Sequence, residues 1–369
     1  MAEDQNTTDD AYRVQEQPLL TKVKHGAAVF AIQNLLVGPA NFVRSVKAYV
    51  APPENRPALV KTIFFPKEYD TTSKDQLPVL FTIHGGGFVL GSPTDNDDWN
   101  QTYASQHHCV VIGLNYGKAP GNPFPKPVYD CEALFLAALN DQSLPLDRTR
   151  VALLGWSAGG NLTLAISQLE TVRKHLTCIV ALYPPTDFST KGEDKVHSRQ
   201  YKPDLGGDRG KDRDYLLSFS AIFDWAYQVP GGNSRDPLLS PCFASKDALP
   251  KRVFVISCEL DMLAGDGQKL IHKLAGRPPP PATVGKRETA GEKGALIFDD
   301  ERFHFEVSDA DGSAYRWLLV PDTVHGFDQH LEGVLSDPEL LEDARIKMQK
   351  TIKIIGEWVL QAPPISAAS

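Results

Sequence analysis

Val151-Ala152-Leu153-Leu154-Gly155-Trp156-Ser157-Ala158-Gly159-Gly160-Asn161-Leu162 reads as a buried strand that passes through GxSxG into a helix. A bare GxSxG carries little weight, because so short a pattern recurs by chance. The strand before it and the helix after it supply the context that an exposed nucleophile requires. The turn between them must be tight enough to lift the serine hydroxyl above the sheet edge, so its neighbours have to be small, which accounts for Gly155, Gly159 and Gly160. The helix opening at Ala158 aims its N-terminal amides at developing negative charge. Ser157 is therefore read as a nucleophile.

Outward from this segment, short apolar runs alternate with helical patterns. The runs are Leu77 to Ile83, Cys109 to Leu114, Arg150 to Gly155, Leu176 to Leu182, Arg252 to Ser257 and Tyr315 to Val320. The helical patterns are Val128 to Asn140, Ala158 to Thr171, Gly265 to Ala275 and Pro338 to Leu360. Continuous apolar strands joined by crossover helices predict a doubly wound, mostly parallel α/β sheet. The core is assigned to residues 61–187 and 233–369. Residues 1–60, polar and then amphipathic, are read as an N-terminal cap segment. Residues 188–232 are read as a cap insertion, because Lys191 to Asp214 is charged and Tyr215 to Tyr227 has a broad aromatic surface that needs a partner. A further excursion, 276–311, opens with Pro278-Pro279-Pro280-Pro281 and predicts an exposed, poorly ordered loop through Lys293. In its second half Phe303, Phe305 and Val307 alternate with polar residues before Asp311-Gly312, the pattern of a hairpin that adds an antiparallel strand beside Tyr315 to Val320.

Three other segments carry chemistry. In Phe81-Thr82-Ile83-His84-Gly85-Gly86-Gly87-Phe88 a run of glycines ends an apolar strand. Without side chains, amides of Gly85, Gly86 and Gly87 can approach a substrate oxygen and, with the Ala158 N–H, form an oxyanion hole. His84 is expected to brace this loop by hydrogen bonding. Of the ten histidines, His325 is preferred because it follows the last predicted core strand and precedes the final helix, in Pro321-Asp322-Thr323-Val324-His325-Gly326-Phe327. An imidazole with a pKa near ~6.5 can take the serine proton and return it to a leaving group. His107 and His108, adjacent before a strand, do not read as a metal site. His25, His175, His197, His272, His304 and His330 read as solvated or structural. The strand Arg252 to Ser257 runs on to Glu259-Leu260-Asp261, and Asp261, furthest beyond it, is preferred over Glu259 as the carboxylate that orients the base.

The bulk numbers narrow the partners. A formal net charge of -8, with no cluster of Lys and Arg, argues against nucleic acid. The stretch Gly26 to Val37 is about a dozen residues against roughly 20 for a bilayer span, so it is read as a cap helix and no transmembrane segment is expected. The acidic start Met1-Ala2-Glu3-Asp4 does not resemble a secretory signal, and the C-terminal Ser-Ala-Ala-Ser is neither a retention nor a peroxisomal signal. Five scattered cysteines (Cys109, Cys131, Cys178, Cys242 and Cys258) show no metal spacing, and the expectation is reduced thiols in the cytoplasm. Nothing in the sequence decides between a monomer and a homodimer.

These motifs together resemble the hormone-sensitive-lipase-like branch of the α/β-hydrolases, which includes bacterial esterases, arylacetamide deacetylase and plant carboxylesterases. The resemblance covers about residues 77–360. It rests on His84-Gly85-Gly86-Gly87-Phe88-Val89-Leu90-Gly91-Ser92, on Asn115-Tyr116 with Ala119-Pro120 and Pro123-Phe124-Pro125, on Gly155 to Leu162, on Asp236-Pro237-Leu238-Leu239-Ser240-Pro241, on Glu259-Leu260-Asp261 and on His325-Gly326-Phe327. It implies an α/β-hydrolase with a helical cap, the triad Ser157, Asp261 and His325, and an oxyanion hole from the glycine loop and Ala158. Trp156 stands where the family commonly has Asp, and Asn115 and Gly117-Lys118 replace the usual Asp and Arg-Leu. The implied activity is hydrolysis of a moderately hydrophobic small-molecule ester through an acyl-enzyme, with no metal and no organic cofactor. Phe88, Trp156, Phe188, Phe219, Phe223, Trp225 and Tyr227 are the candidate pocket walls. The same triad would serve a lactone, an amide, a carbon–carbon bond or acyl transfer to an alcohol. A non-catalytic receptor on this fold, as gibberellin receptors exemplify, would tend to lose the base that His325 supplies.

Overall fold

A computed structural model describes residues 11–37, 62–70, 72–73, 75–285, 292–329 and 338–365. His330, residues 1–10 and 38–60 of the expected N-terminal cap, and part of the proline-rich loop lie outside the described residues. The strands, in chain order, are β1 (Ile63–Phe64), β2 (Leu77–Ile83), β3 (Val110–Leu114), β4 (Leu146–Trp156), β5 (Cys178–Leu182), β6 (Arg252–Cys258), β7 (His304–Ser308) and β8 (Ala314–Val320). The helices are α1 (Leu19–Ala31), α2 (Asp97–His107), α3 (Lys126–Asn140), α4 (Ala158–Ile166), α5 (Leu217–Tyr227), α6 (Ala264–Leu274) and α7 (Pro338–Leu360).

The strands form one sheet in the order β1-β3-β2-β4-β5-β6-β8-β7. All neighbours are parallel except the edge strands, β1 on β3 and β7 on β8. This is the doubly wound, mostly parallel α/β sheet that the sequence predicts. Every residue of β2, β3 and β5 is buried, as covering both faces of a parallel sheet demands. One face packs Phe81, Phe135, Leu153 and Trp317, and the other packs Leu80, Leu154, Phe254 and Trp358. Among the described residues no helix is long and apolar enough to cross a membrane.

Several elements depart from the sequence reading. The helix expected through Thr171 stops at Ile166 and resumes as one turn, Glu170–Arg173. There Ser167 Oγ donates to the Leu164 carbonyl and Gln168 Nε2 to the carbonyls of Leu164 and Pro237, drawing acceptors out of the helical ladder. α1 begins at Leu19, seven residues before Gly26, and continues as a wider π-helical turn, Ile32–Val37. α2 and β1 were not anticipated. In the 276–311 excursion β7 pairs with β8, Phe305 opposite Trp317, and the turn bends at Gly312 with φ 84°. Its first half is exposed from Pro281 to Thr283 but is pinned at buried Val284, whose N–H donates to the Ser198 carbonyl at 2.9 Å.

Candidate active site

Ser157 sits where β4 ends and α4 begins, with φ 52° and ψ -118°, a conformation that L-residues avoid. The chain tolerates it because the turn is bound on both sides. The Ser157 N–H donates to Leu182 O in β5 at 2.9 Å, and Asn161 N–H donates to Ser157 O at 3.0 Å. Close packing dictates the neighbour as well: a Cβ on Gly159 would lie 2.0 Å from Ile83 O. Asn161 Nδ2 then donates to Pro185 O and Leu239 O, fastening α4 to the Asp236 to Pro241 segment.

His325 and Asp261 reach this turn from the ends of β8 and β6. The two loops are zipped together by Leu260 N–H to Thr323 O, 2.9 Å, and Glu259 N–H to Val320 O, 3.0 Å. His325 Nε2 lies 2.8 Å from Ser157 Oγ, and His325 Nδ1 lies 2.7 Å from Asp261 Oδ2. Asp261 is fully buried, and its other oxygen accepts the Leu263 N–H at 2.9 Å. With an ionised carboxylate, the consistent assignment is a proton on Nδ1 and a lone pair on Nε2 facing the hydroxyl. Glu259, the other carboxylate of the loop, accepts from Lys202 Nζ at 2.7 Å and from Asp322 N–H at 2.9 Å.

Burial pulls the His325 pKa down, but the attraction and hydrogen bond of Asp261, with the charges of Asp214 and Asp328, outweigh it and raise the pKa above the ordinary value. Asp214 and Asp328 were not singled out by the sequence reading. Asp214 comes from the 188–232 insertion and accepts the N–H of Met262, next to Asp261, at 2.8 Å; burial, then Asp261, push its pKa up to about 6. Its neighbour Tyr215 donates its hydroxyl to the His325 carbonyl at 2.6 Å. The insertion thus clasps the acid loop and the base loop through adjacent residues. Lys191 to Asp214 reads in sequence only as a charged stretch of the cap insertion, and only the fold shows which charges turn inward.

The glycine loop lies beside the turn. Gly86 has φ 108° and Gly87 φ 59°. The Gly86 carbonyl accepts from Val89 and Leu90 N–H, folding the loop back on itself. The Gly85 carbonyl accepts from His84 Nδ1 at 2.7 Å and from the Tyr116 hydroxyl at 3.1 Å. Burial, then the charge of Lys118, depress the His84 pKa to about 4, so this imidazole is a neutral brace at working pH. Lys118 Nζ, 3.3 Å from His84 Nε2, donates to Asn115 Oδ1 at 2.9 Å, so the two positions that depart from the family pattern support the loop together. The N–H groups of Gly86, Gly87 and Ala158 meet no acceptor among the described residues.

Gly87, Ala158 and Ser157 border a cavity of about 60 Å³, walled by Phe88, Phe188 and Phe223. The other expected walls lie elsewhere. Trp156 points to the opposite side of the sheet, edge-on to Trp99, with its indole N–H on Asp328 Oδ2 at 2.9 Å. Strand alternation sends residues 156 and 157 to opposite faces. Tyr227 is fully buried and stacks under Phe88, ring centroids 3.6 Å apart. Trp225 faces α1, against His25 and Gly26. Phe219 stacks on the outside of Phe223 and is 40% exposed.

A family model described as alpha/beta hydrolase fold matches residues 80–280. Among curated relatives, an arylesterase of Saccharolobus solfataricus is 27% identical over 213 residues, covering 56% of this chain and 65% of the relative. A carboxylesterase of Mycobacterium tuberculosis is 29% identical over 196 residues, covering 53% and 59%. The chain thus spans less than two thirds of the length of these relatives. Among solved structures, a hyperthermophilic esterase from the archaeon Pyrobaculum calidifontis superposes with a TM-score of 0.60 at 20% identity, over 95% of this chain and 100% of that one. That likeness is one of fold.

Proposed function

Because this chain belongs to the alpha/beta hydrolase fold family, in its hormone-sensitive-lipase-like branch, we propose that it is a serine carboxylic-ester hydrolase acting through an acyl-enzyme. The observation that carries the reading is the continuous hydrogen-bonded chain Ser157 Oγ, His325 Nε2, His325 Nδ1, Asp261 Oδ2. As Ser157 Oγ attacks the ester carbonyl, its proton passes to His325 Nε2 and Asp261 stabilises the imidazolium. The carbonyl oxygen becomes an oxyanion that accepts from the free N–H groups of Gly86, Gly87 and Ala158, each such donor typically worth roughly 3 kcal/mol. The imidazolium returns the proton to the departing alcohol, and water, deprotonated by the same imidazole, releases the acid.

The cavity supports a substrate class as well. Its small volume and the rings of Phe88, Phe188 and Phe223 suit a moderately hydrophobic small-molecule ester with a short acyl group. The test is labelling by a fluorophosphonate probe, with hydrolysis of p-nitrophenyl esters of graded acyl length. Wild type should be labelled and active with an optimum at short chains, and Ser157→Ala should lose both properties. Labelling that persists in Ser157→Ala refutes the nucleophile, and an optimum at long acyl chains refutes the substrate class.

A further inference from the structure

The wall of the Ser157 cavity is mostly apolar, yet two side chains of opposite charge also border it, Lys195 and Asp224. Neither takes part in the triad. Lys195 ends the short helix Gly192–Lys195, and Asp224 lies on α5 beside Phe223. The Lys195 side chain is 8% exposed and donates to Asp266 Oδ2 at 2.6 Å and to Asp187 O at 2.5 Å. An ammonium has three donors, so one is left over. Asp266 Oδ2 also accepts the N–H groups of Thr186 and Asp187, each at 3.2 Å, so that oxygen is fully engaged while Lys195 keeps a donor for a further partner.

Asp224 is situated differently. Among the described residues its carboxylate accepts no hydrogen bond and forms no direct ion pair. Burial pushes its pKa up to about 6, against the pull of Lys195. Asp224 is half-buried and borders the cavity, so its carboxylate is open to a donor that a ligand brings.

The two charges together restrict what that ligand group can be. Lys195 repels a cation and Asp224 repels an anion. A neutral hydroxyl satisfies both, since it donates to the carboxylate while its oxygen accepts from the ammonium. We propose that Lys195 and Asp224 form a polar subsite that recognises a hydroxyl group, so that the preferred substrate is a neutral hydroxylated ester. This inference rests on the reading of the cavity as an ester-hydrolysing site and names the substrate class of that site.

The test compares isosteric pairs on the full chain. Methyl 3-hydroxybutyrate is set against methyl 3-methylbutyrate, and 2-hydroxyethyl acetate against propyl acetate, which places the hydroxyl on the acyl or the alcohol side. In wild type the hydroxyl should raise kcat/KM by about 10–100-fold in one pair, the range for a hydrogen bond to a charged acceptor. Asp224→Leu should bring that ratio close to unity, and the isosteric Asp224→Asn should lower it only in part. Ratios near unity in wild type for both pairs overturn the inference, as does a ratio that neither variant changes. If Asp224→Leu does not fold, the Asn variant decides. If wild type hydrolyses none of the four esters, p-nitrophenyl butyrate decides the esterase reading by itself. The subsite is then judged by calorimetric affinity of Ser157→Ala for the same compounds, where equal affinity within both pairs overturns it.

Discussion

Replacing Gly87 by alanine tests whether the glycine loop is held in register by the helix above it. The backbone there has φ 59°, and a Cβ in this left-handed region costs roughly 1–2 kcal/mol. The larger effect is steric. The new Cβ would lie 2.5 to 2.6 Å from three ring atoms of Phe223, against 3.4 Å where ordinary contact begins, so one side must retreat by nearly 1 Å. The ring is backed by Phe219 on α5, whereas the loop carries the amides that face the serine. A displacement of about 1 Å at a reacting centre costs on the order of 10²-fold, the lower end of what complete loss of an oxyanion donor costs, roughly 2.7–4 kcal/mol. We therefore expect Gly87→Ala to lower kcat/KM for p-nitrophenyl butyrate by about 30–100-fold, with a loss of only a few degrees in Tm. The double variant Gly87→Ala/Phe223→Ala removes the clash but keeps the backbone strain, and it should recover most of the rate. A single variant within about threefold of wild type, or a double variant no faster than the single, refutes the assignment of the loss to this contact.

The raised pKa of His325 places the acidic limb of kcat/KM above the ordinary histidine value near ~6.5, because only the neutral imidazole accepts the serine proton. Asp214→Asn removes one charge that favours the imidazolium and should move that limb to lower pH; a profile over roughly pH 5–9 whose limb stays put contradicts the electrostatic role of Asp214. Tyr215→Phe loses the 2.6 Å bond to the His325 carbonyl and should cost about 0.5–1.5 kcal/mol in a denaturant melt, with kcat falling more than KM rises. Trp156→Phe leaves Asp328 Oδ2 without its indole donor and should cost about 1–3 kcal/mol of stability, yet KM should stay within about twofold, since the indole does not border the cavity. A large KM change in that variant would return Trp156 to the pocket wall.

Which elements were legible follows from what each buries. β2, β3, β5, β6, β8 and the second half of β4, from Val151, are largely apolar runs, and both sheet faces need such runs to be covered. The β7–β8 hairpin showed because one face alternates and Gly312 marks its turn. α2 escaped notice because its sequence, Asp97 to His107, is polar on average; its buried face is only Trp99, Asn100, Tyr103 and Ala104. A signal did exist in Ser92-Pro93-Thr94-Asp95, where the Asp95 carboxylate accepts the Ser92 N–H at 3.0 Å ahead of that helix. β1 has two residues, too few to show any period.

The same contrast separates the triad from the pocket. A parallel sheet brings the carboxyl ends of its strands to one edge, so residues that follow β4, β6 and β8 converge whatever their spacing in the chain. That Ser157, Asp261 and His325 come together could be read from strand ends alone, and the order β4-β5-β6-β8 brings them to one place. Pocket walls obey no such rule. In α5 each residue turns about 100°, so Trp225 faces away from Phe219, Phe223 and Tyr227, which follow one side at four-residue spacing yet run from exposed Phe219 to buried Tyr227. Their sequence tells which of them share a face, but only the docking of α5 against α1 and the glycine loop tells which face meets the serine. Inward charges are hidden for the same reason. Asp224, the residue after Phe223, also borders the cavity, and its chemistry becomes visible only when the cavity and Lys195 are seen beside it.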